Sequence, residues 1–421
     1  DCREVMKFLI TNMTGFRNKG CEASTKAIIN EIFKLDNKAS FKIFTKDPEY
    51  DSSWLTKKRN VSFIQEPFRR WFFSRLWQYL FANKLGMFST AKYGIDAYST
   101  AKYGIDAYRW ADAIISTGGD IFSSTYGNLH RHLTAIQVAR NKPVCLIGHS
   151  IGPFKTEKEY KVFIKAMKHV QLITARESLS FKYLMKMKLK NVRIELTADP
   201  AFCLEPIWKK IHKILEVYHI SDEKPIVGIA PSQSITYYTK LSYIAHFKML
   251  QKLIEFLMDE LEYHVVLIPH VQELSVRGND KVICEKLYRS LNFPKDITLI
   301  SLDHSAEEIR ALMSKLDLLV AERMHAAIAG LAQQVPTFVI GYSIKAEGIL
   351  GDIFGFENLM DYMVPINKLN EETLETCVKN LIDKKDEVNK YLSKRIRHIK
   401  NSAKDNFVLI MDILRSGNIE D

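Results

Sequence analysis

Arg323, His325 and Lys345 are the residues of this 421-residue chain whose types and spacing most invite chemistry. Arg323 and His325 stand two apart in Glu322-Arg323-Met324-His325. The apolar run Leu316-Asp317-Leu318-Leu319-Val320-Ala321 precedes them, and Ala326-Ala327-Ile328-Ala329-Gly330-Leu331-Ala332 follows. That order reads as a buried parallel strand, a tight turn and a closely packed helix. Val335 to Tyr342 supplies the next strand, with Ser343, Lys345 and Glu347 just beyond it. Three basic groups thus leave two consecutive strand ends, where open α/β sheets bind their ligands. The first turn of a helix adds free N–H groups that favour an anion. A guanidinium and an ammonium suit carboxylate or phosphate, and an imidazole exchanges protons near neutrality. The plainer alternative is a surface arginine, a helix-capping histidine and a solvated lysine.

The same strand-then-turn plan recurs upstream. Val5–Thr11 is read as the first strand, followed by Asn18, Gly20 and Glu22 in a glycine-bracketed basic turn that lets backbone approach an anion or a sugar. Ala113-Ile114-Ile115-Ser116-Thr117 runs into Gly118-Gly119-Asp120, where Asp120 either orients an acceptor hydroxyl or caps the next turn. Val144–Ile147 runs into Gly148-His149-Ser150-Ile151-Gly152-Pro153, and His149 at that strand end could titrate near neutral pH. Leu172–Ala175 ends in Arg176-Glu177, an arginine whose fork suits an anion or pairs locally with its neighbour. Asp199 before Pro200 reads as a turn-former. In the second half, Ser232, Gln233 and His270 stand at further strand ends, and Asp303–Glu308 carries an N-capped helix start.

Composition sets the frame. The length fits two α/β domains better than one core. A hydrophobic content of 47% and a charged content of 26% are those of a globular protein. No apolar run approaches the ~20 residues that span a bilayer, and no signal peptide precedes the first strand, although the chain begins at Asp1. Six scattered cysteines with no C-x-x-C pair point to reduced thiols in the cytoplasm, not to a zinc site. The net charge of +11 suits acidic substrates or an anionic surface. Nucleic acid is not expected, because the charge is spread through helices and no nucleic-acid motif is present. Residues 68–81 mix aromatics with arginines at near-helical spacing, which suits either a helix resting on an anionic bilayer or a domain helix with a wet basic face. Residues 89–98 repeat identically as 99–108, a tandem duplication within a tolerant segment and not a solenoid repeat.

The string R-M-H-A-A-I-A-G, then V-P, then Y-S-I-K over 323–345 resembles the C-terminal signature of the polysaccharide pyruvyl transferase family. The turns at 113–153 and 172–202 are similar to that family's as well, though His149 and Ser150 replace its more usual Gln and Gly. The resemblance implies two Rossmann-like domains facing a central cleft, a GT-B-like α/β fold. Its expected domains are 1–205 on the acceptor side, 206–369 on the donor side, and a helical crossover over 370–421 that returns to the first domain. It implies transfer of a pyruvyl group from phosphoenolpyruvate to a sugar of a capsule, exopolysaccharide or lipid-linked glycan precursor, with a pyruvate ketal formed and phosphate released. It needs no metal and no resident cofactor, phosphoenolpyruvate being a co-substrate.

That chemistry asks for cations around the donor and for one group able to give and take a proton. Carried onto this sequence, the catalytic set is His325, Arg323 and His149. The donor set is Arg176, Arg323, Lys345, Ser343 and His270. The acceptor set is Asn18, Gly20, Gly119 and Asp120. The expected location is cytoplasmic, with peripheral contact at the inner face of the membrane through 68–81. Two alternatives stay open: a GT-B-type glycosyltransferase using a nucleotide sugar, and a non-catalytic glycan-binding protein.

Overall fold

A computed structural model describes residues 5–55, 60–67, 103–125, 129–139, 142–292, 294–341 and 344–417. The expected membrane-facing stretch 68–81, the first copy of the tandem repeat and Ser343 lie outside the described residues. The chain divides into two compact units. The first comprises Asp1–Phe16, Thr25–Pro200 and Lys404–Asp421, and the second Arg17–Ser24 and Ala201–Ala403.

The sheet of the first unit is built from β1 (Lys7–Thr11), β2 (Ser40–Thr45), β3 (Val61–Gln65), β4 (Ala113–Ser116), β5 (Gly119–Phe122), β6 (Val144–Ile151), β7 (Leu172–Ala175) and β8 (Arg193–Leu196). Their order is β3-β2-β1-β4-β6-β7-β8, with β5 also paired to β6. Every pairing is parallel. Phe8, Leu9 and Ile10 and all of β4 and β7 are buried, as strands covered on both faces must be.

The second unit repeats the plan with β9 (Ile226–Ala230), β10 (His264–Leu267), β11 (Ile297–Leu299), β12 (Leu318–Ala321), β13 (Thr337–Gly341) and β14 (Met363–Pro365). The order β11-β10-β9-β12-β13-β14 is again wholly parallel. It is the doubly wound order, in which the strand sequence reverses between β9 and β12, as it does between β1 and β4 in the first unit. Chain leaving the carboxyl ends of those strand pairs therefore diverges and opens a place for a ligand. Ala230 and Ala321 face each other across that point, so Ser232 and Arg323 leave it side by side.

The last helix, Lys385–Gly417, has its early turns in the second unit and residues 404–417 in the first. Among the described residues no helix is long and apolar enough to cross a membrane.

Candidate functional site

The second unit gathers basic and imidazole groups at the carboxyl ends of β9, β10 and β12. Arg323 is the N-cap residue of the helix Met324–Ala332, which follows β12. Its guanidinium forks onto Asp280, with Nε to Oδ2 at 3.0 Å and Nη2 to Oδ1 at 2.6 Å, and Nη2 also donates to Ser234 Oγ at 3.2 Å. Asp280 is fully buried and accepts the backbone N–H of Gln233 at 3.0 Å and of Val271 at 2.9 Å. Burial raises its carboxyl above the usual range, while Arg323 and the two amides oppose that rise. One carboxylate thus pins the loops after β9 and β10 and the arginine after β12 into a single arrangement. Arg323 is a fixed cation, not a mobile surface arginine.

His325 stands two residues further on, in the first turn of the helix Met324–Ala332, half-buried against Gly20 of the segment 17–24. That segment pairs with the loop after β10: Asn18 and Val271 form an antiparallel bridge, Lys19 N donates to His270 O at 3.1 Å, and Gln272 N donates to Arg17 O at 2.8 Å. Asn18 spends its side-chain oxygen capping the helix Lys19–Leu35, accepting from Gly20 N at 3.0 Å and Cys21 N at 3.4 Å. Gly20 lies against the His325 side chain, since a Cβ there would stand 2.3 Å from Cγ and Nδ1 and 2.5 Å from Cβ. Both residues of the expected acceptor set on this turn thus serve the helix start and the histidine's position.

Lys19, inside the same turn, is 1% exposed and pairs with Asp303 at 3.0 Å and Glu22 at 3.2 Å. Glu22 in turn accepts Ala306 N at 3.0 Å, at the start of the helix Ala306–Met313.

His270 is buried, and among the described residues neither ring nitrogen has a hydrogen-bond partner. Burial, and then the charges of His325, Arg323, Arg310 and Lys19, hold its pKa well below the usual imidazole value. It is therefore a neutral ring in a positive field. Arg310 itself donates to Leu204 O at 2.9 Å and Ala201 O at 2.6 Å. Lys345 is buried in the first turn of the helix Ile344–Phe354 after β13. Glu322 and His246 form a further buried pair, Oε1 to Nε2 at 2.7 Å, and Ser232 N donates to the other carboxylate oxygen at 2.6 Å. Sequence reasoning passed over Lys19, Asp280 and the Glu322–His246 pair. Only Lys19, in its basic glycine-bracketed turn, carried a local signal.

The first unit holds its own polar cluster. β6 does not stop at Ile147 but continues through a bulge to Ile151, with Gly148 at φ +62. His149 is thus a strand residue and not part of a turn. It is wholly buried, its Nε2 lies 3.2 Å from Ser116 Oγ, and its ring is 4.8 Å from that of Phe122. Asn12 donates to the same Ser116 hydroxyl at 3.0 Å and meets His132 Nδ1 at 2.9 Å. Burial, with Arg176 second, pushes His149 down to about 3, and burial with Arg131 and Lys46 does the same to His132. The near-neutral titration expected of His149 is therefore overturned by desolvation.

Arg176 is likewise inside, Nε on Ser150 Oγ at 2.8 Å and Nη1 on Asp199 Oδ2 at 2.7 Å, both charged side chains being 1% exposed. Burial works against its charge, yet Asp199, Asp120 and Glu177 outweigh it and raise the guanidinium above its ordinary value. Asp199, read as a turn-former, is this arginine's counter-ion. Gly119, at φ +128, has open space where a side chain would be, with the half-buried Asp120 beside it.

These two histidines set a pH dependence. Each is neutral in the folded chain and takes a proton near pH 6.5 when unfolded, so the unfolded state binds more protons below that pH. Their contribution is complete above pH 6.5 and is lost as pH falls toward 3. Urea unfolding at pH 5 is expected to show each costing about 2 kcal/mol relative to pH 7. A His149→Gln chain should lose that share of the slope, and an unchanged slope would mean that His149 is not held neutral.

The polysaccharide pyruvyl transferase family matches residues 18–344. The amylovoran biosynthesis protein AmsJ of Erwinia amylovora is 22% identical over 294 residues, 68% of this chain and 69% of its own length. Among solved structures, the UDP-GlcNAc 2-epimerase from Neisseria meningitidis bound to UDP-GlcNAc superposes with a TM-score of 0.61 at 13% identity, over 97% of this chain and 100% of that one. The α,α-trehalose 6-phosphate synthase of Burkholderia multivorans does so with a TM-score of 0.56 at 10% identity, over 99% of each chain. At these identities the likeness is one of fold, and that fold is the GT-B-like pairing of Rossmann-type sheets. With the family's match running from the turn before Lys19 through β13, this chain belongs to the polysaccharide pyruvyl transferase family.

Proposed function

We propose that the chain transfers a pyruvyl group from phosphoenolpyruvate to two hydroxyls of one sugar in a polysaccharide or lipid-linked glycan precursor, forming a ketal and releasing phosphate. The observation that carries this reading is His270: a desolvated imidazole without partners among the described residues, surrounded by the positive charges of Arg323, Arg310 and Lys19. An anionic ligand entering that field relieves it and gives the ring a hydrogen bond.

In this reading Arg323, with Lys345 and Ser343, holds the donor's carboxylate and phosphate. His325 gives a proton to the donor's methylene carbon as cationic character develops at C2. A sugar hydroxyl adds to C2 and releases its proton. The second hydroxyl then displaces phosphate at the same carbon; the first hydroxyl's proton restores His325, and the second hydroxyl's proton leaves with the phosphate. His270 stays neutral and serves as a hydrogen-bonding partner. His149, held at about 3, is a poor acid or base at neutral pH and is not assigned to proton transfer. Arg176, engaged by Asp199, supports the first unit's architecture ahead of any ligand. Gly119 and Asp120 remain the proposed acceptor side, at the cytoplasmic face of the membrane.

Thermal unfolding with phosphoenolpyruvate, and in parallel with UDP-sugars, tests the donor. A ligand at about a hundred times its Kd stabilises the folded chain by roughly 2.7 kcal/mol. The expected result is a rise in Tm with phosphoenolpyruvate that is lost in Arg323→Ala. A rise with UDP-sugars alone would replace this reading with a glycosyltransferase of the same fold.

A further inference from the structure

Beside the Arg323 cluster lies an exposed aromatic platform that the donor chemistry does not use. Tyr237 and Tyr238 close the short helix Ile235–Tyr238 after β9, and they are 52% and 38% exposed. The guanidinium of Arg277, itself exposed, lies 4.2 Å from the centre of the Tyr237 ring and 5.9 Å from that of Tyr238. Arg277 belongs to the loop between β10 and the helix Asp280–Ser290, with the strongly exposed Leu274 and Val276 nearby.

One serine joins this platform to the site. Ser234 Oγ donates to Arg277 O at 2.8 Å and accepts from Arg323 Nη2 at 3.2 Å, while Tyr237 N donates to Ser234 O at 3.0 Å.

We infer that Tyr237, Tyr238 and Arg277 form a subsite for a pyranose ring of the acceptor glycan, adjoining the place where the ketal forms. The substrate class rests on the pyruvyl transferase reading, and the place rests on the geometry. A pyranose has a C–H face that packs on an aromatic ring and an equatorial belt of hydroxyls that accepts from a guanidinium edge. The platform offers both groups together, the Arg277 guanidinium held over the Tyr237 ring by the cation–π contact. Its attachment through Ser234 makes it continuous with Arg323, so a glycan longer than the reacting sugar meets it without leaving the site. Exposed Tyr and Arg side chains of this kind carry a large share of contact energy where they are covered.

The test uses the full chain on a printed array of bacterial surface polysaccharides and their oligosaccharide fragments. Wild type is expected to be retained on a subset of glycans, Tyr237→Ala to bind those about tenfold more weakly, and Tyr237→Phe to bind them as wild type does. The Tm rise with phosphoenolpyruvate should be the same in all three, which also shows that the variants fold.

Equal retention of a Tyr237→Ala/Arg277→Ala chain, or no retention of wild type on any glycan, would overturn the subsite. So would tyrosine-dependent binding to phosphatidylglycerol vesicles in place of glycans. Tyrosine-dependent glycan binding without a phosphoenolpyruvate shift would sink the donor assignment and leave the subsite standing. A phosphoenolpyruvate shift with tyrosine-independent glycan binding would do the reverse.

Discussion

A methyl group at position 20 is expected to cut turnover about a hundredfold. The added Cβ of Gly20→Ala would lie 2.3 Å from the His325 ring and 2.5 Å from the histidine's own Cβ, so turning the ring cannot relieve the contact and one of the two segments must move. The backbone gives no reason for glycine here. Position 20 is inside the helix Lys19–Leu35 with no positive φ, where alanine is favoured by roughly 0.5–1 kcal/mol. Helix propensity therefore does not set the cost, which falls on the packing of the two segments and on the position of the imidazole proposed for proton transfer. Displacing a catalytic group by about 1 Å costs on the order of 10²-fold in rate. A double-mutant cycle isolates the cause. If the glycine acts through the imidazole, adding Gly20→Ala to a His325→Ala chain should cause almost no further loss. Two full, multiplicative losses would show that the glycine serves something else, such as the acceptor contact expected from its sequence context.

The second large effect is on stability. Asp199→Ala removes the counter-ion of an arginine that is 1% exposed and leaves Arg176 with Ser150 as its remaining hydrogen-bonded side-chain partner in the network described above. Breaking a buried pair from one side costs about 3–5 kcal/mol, because the surviving charge cannot recover its hydration. Urea unfolding should show that loss. Replacing both partners together, Arg176→Met with Asp199→Leu, should be markedly milder than Asp199→Ala alone. A loss under 1 kcal/mol in Asp199→Ala, paired with a lost phosphoenolpyruvate shift in Arg176→Ala, would return Arg176 to the donor site.

The sheets and their strand ends were legible because the signal is local. Runs such as Leu318–Ala321 followed by a charged turn and small helix residues declare a buried parallel strand within a dozen positions. The strand ends in turn located Arg323, His325 and His270. What was not legible depends on partners far apart in the chain. Nothing near Arg323 announces that Asp280 will take its fork, and nothing near Arg176 separates a ligand-binding arginine from one already paired with Asp199. The closeness of Gly20 to His325 was hidden for the same reason, since His325 is distant in sequence and adjacent in space. His149 was misjudged by one structural detail. A bulge carries β6 past Gly148, so the histidine faces a packed interior where a turn was expected.

Asn406 gives the chain's order of synthesis a consequence. Its side chain accepts from Thr174 and Thr197 and donates to Ala198 O, and Phe407 and Ile410 beside it are buried. Those residues come from the last helix yet belong to the first unit. A ribosome therefore delivers every strand of the first sheet long before it delivers the side chain that accepts from the Thr174 hydroxyl within β7 and the Thr197 hydroxyl just after β8. The half of the molecule made first is the half finished last.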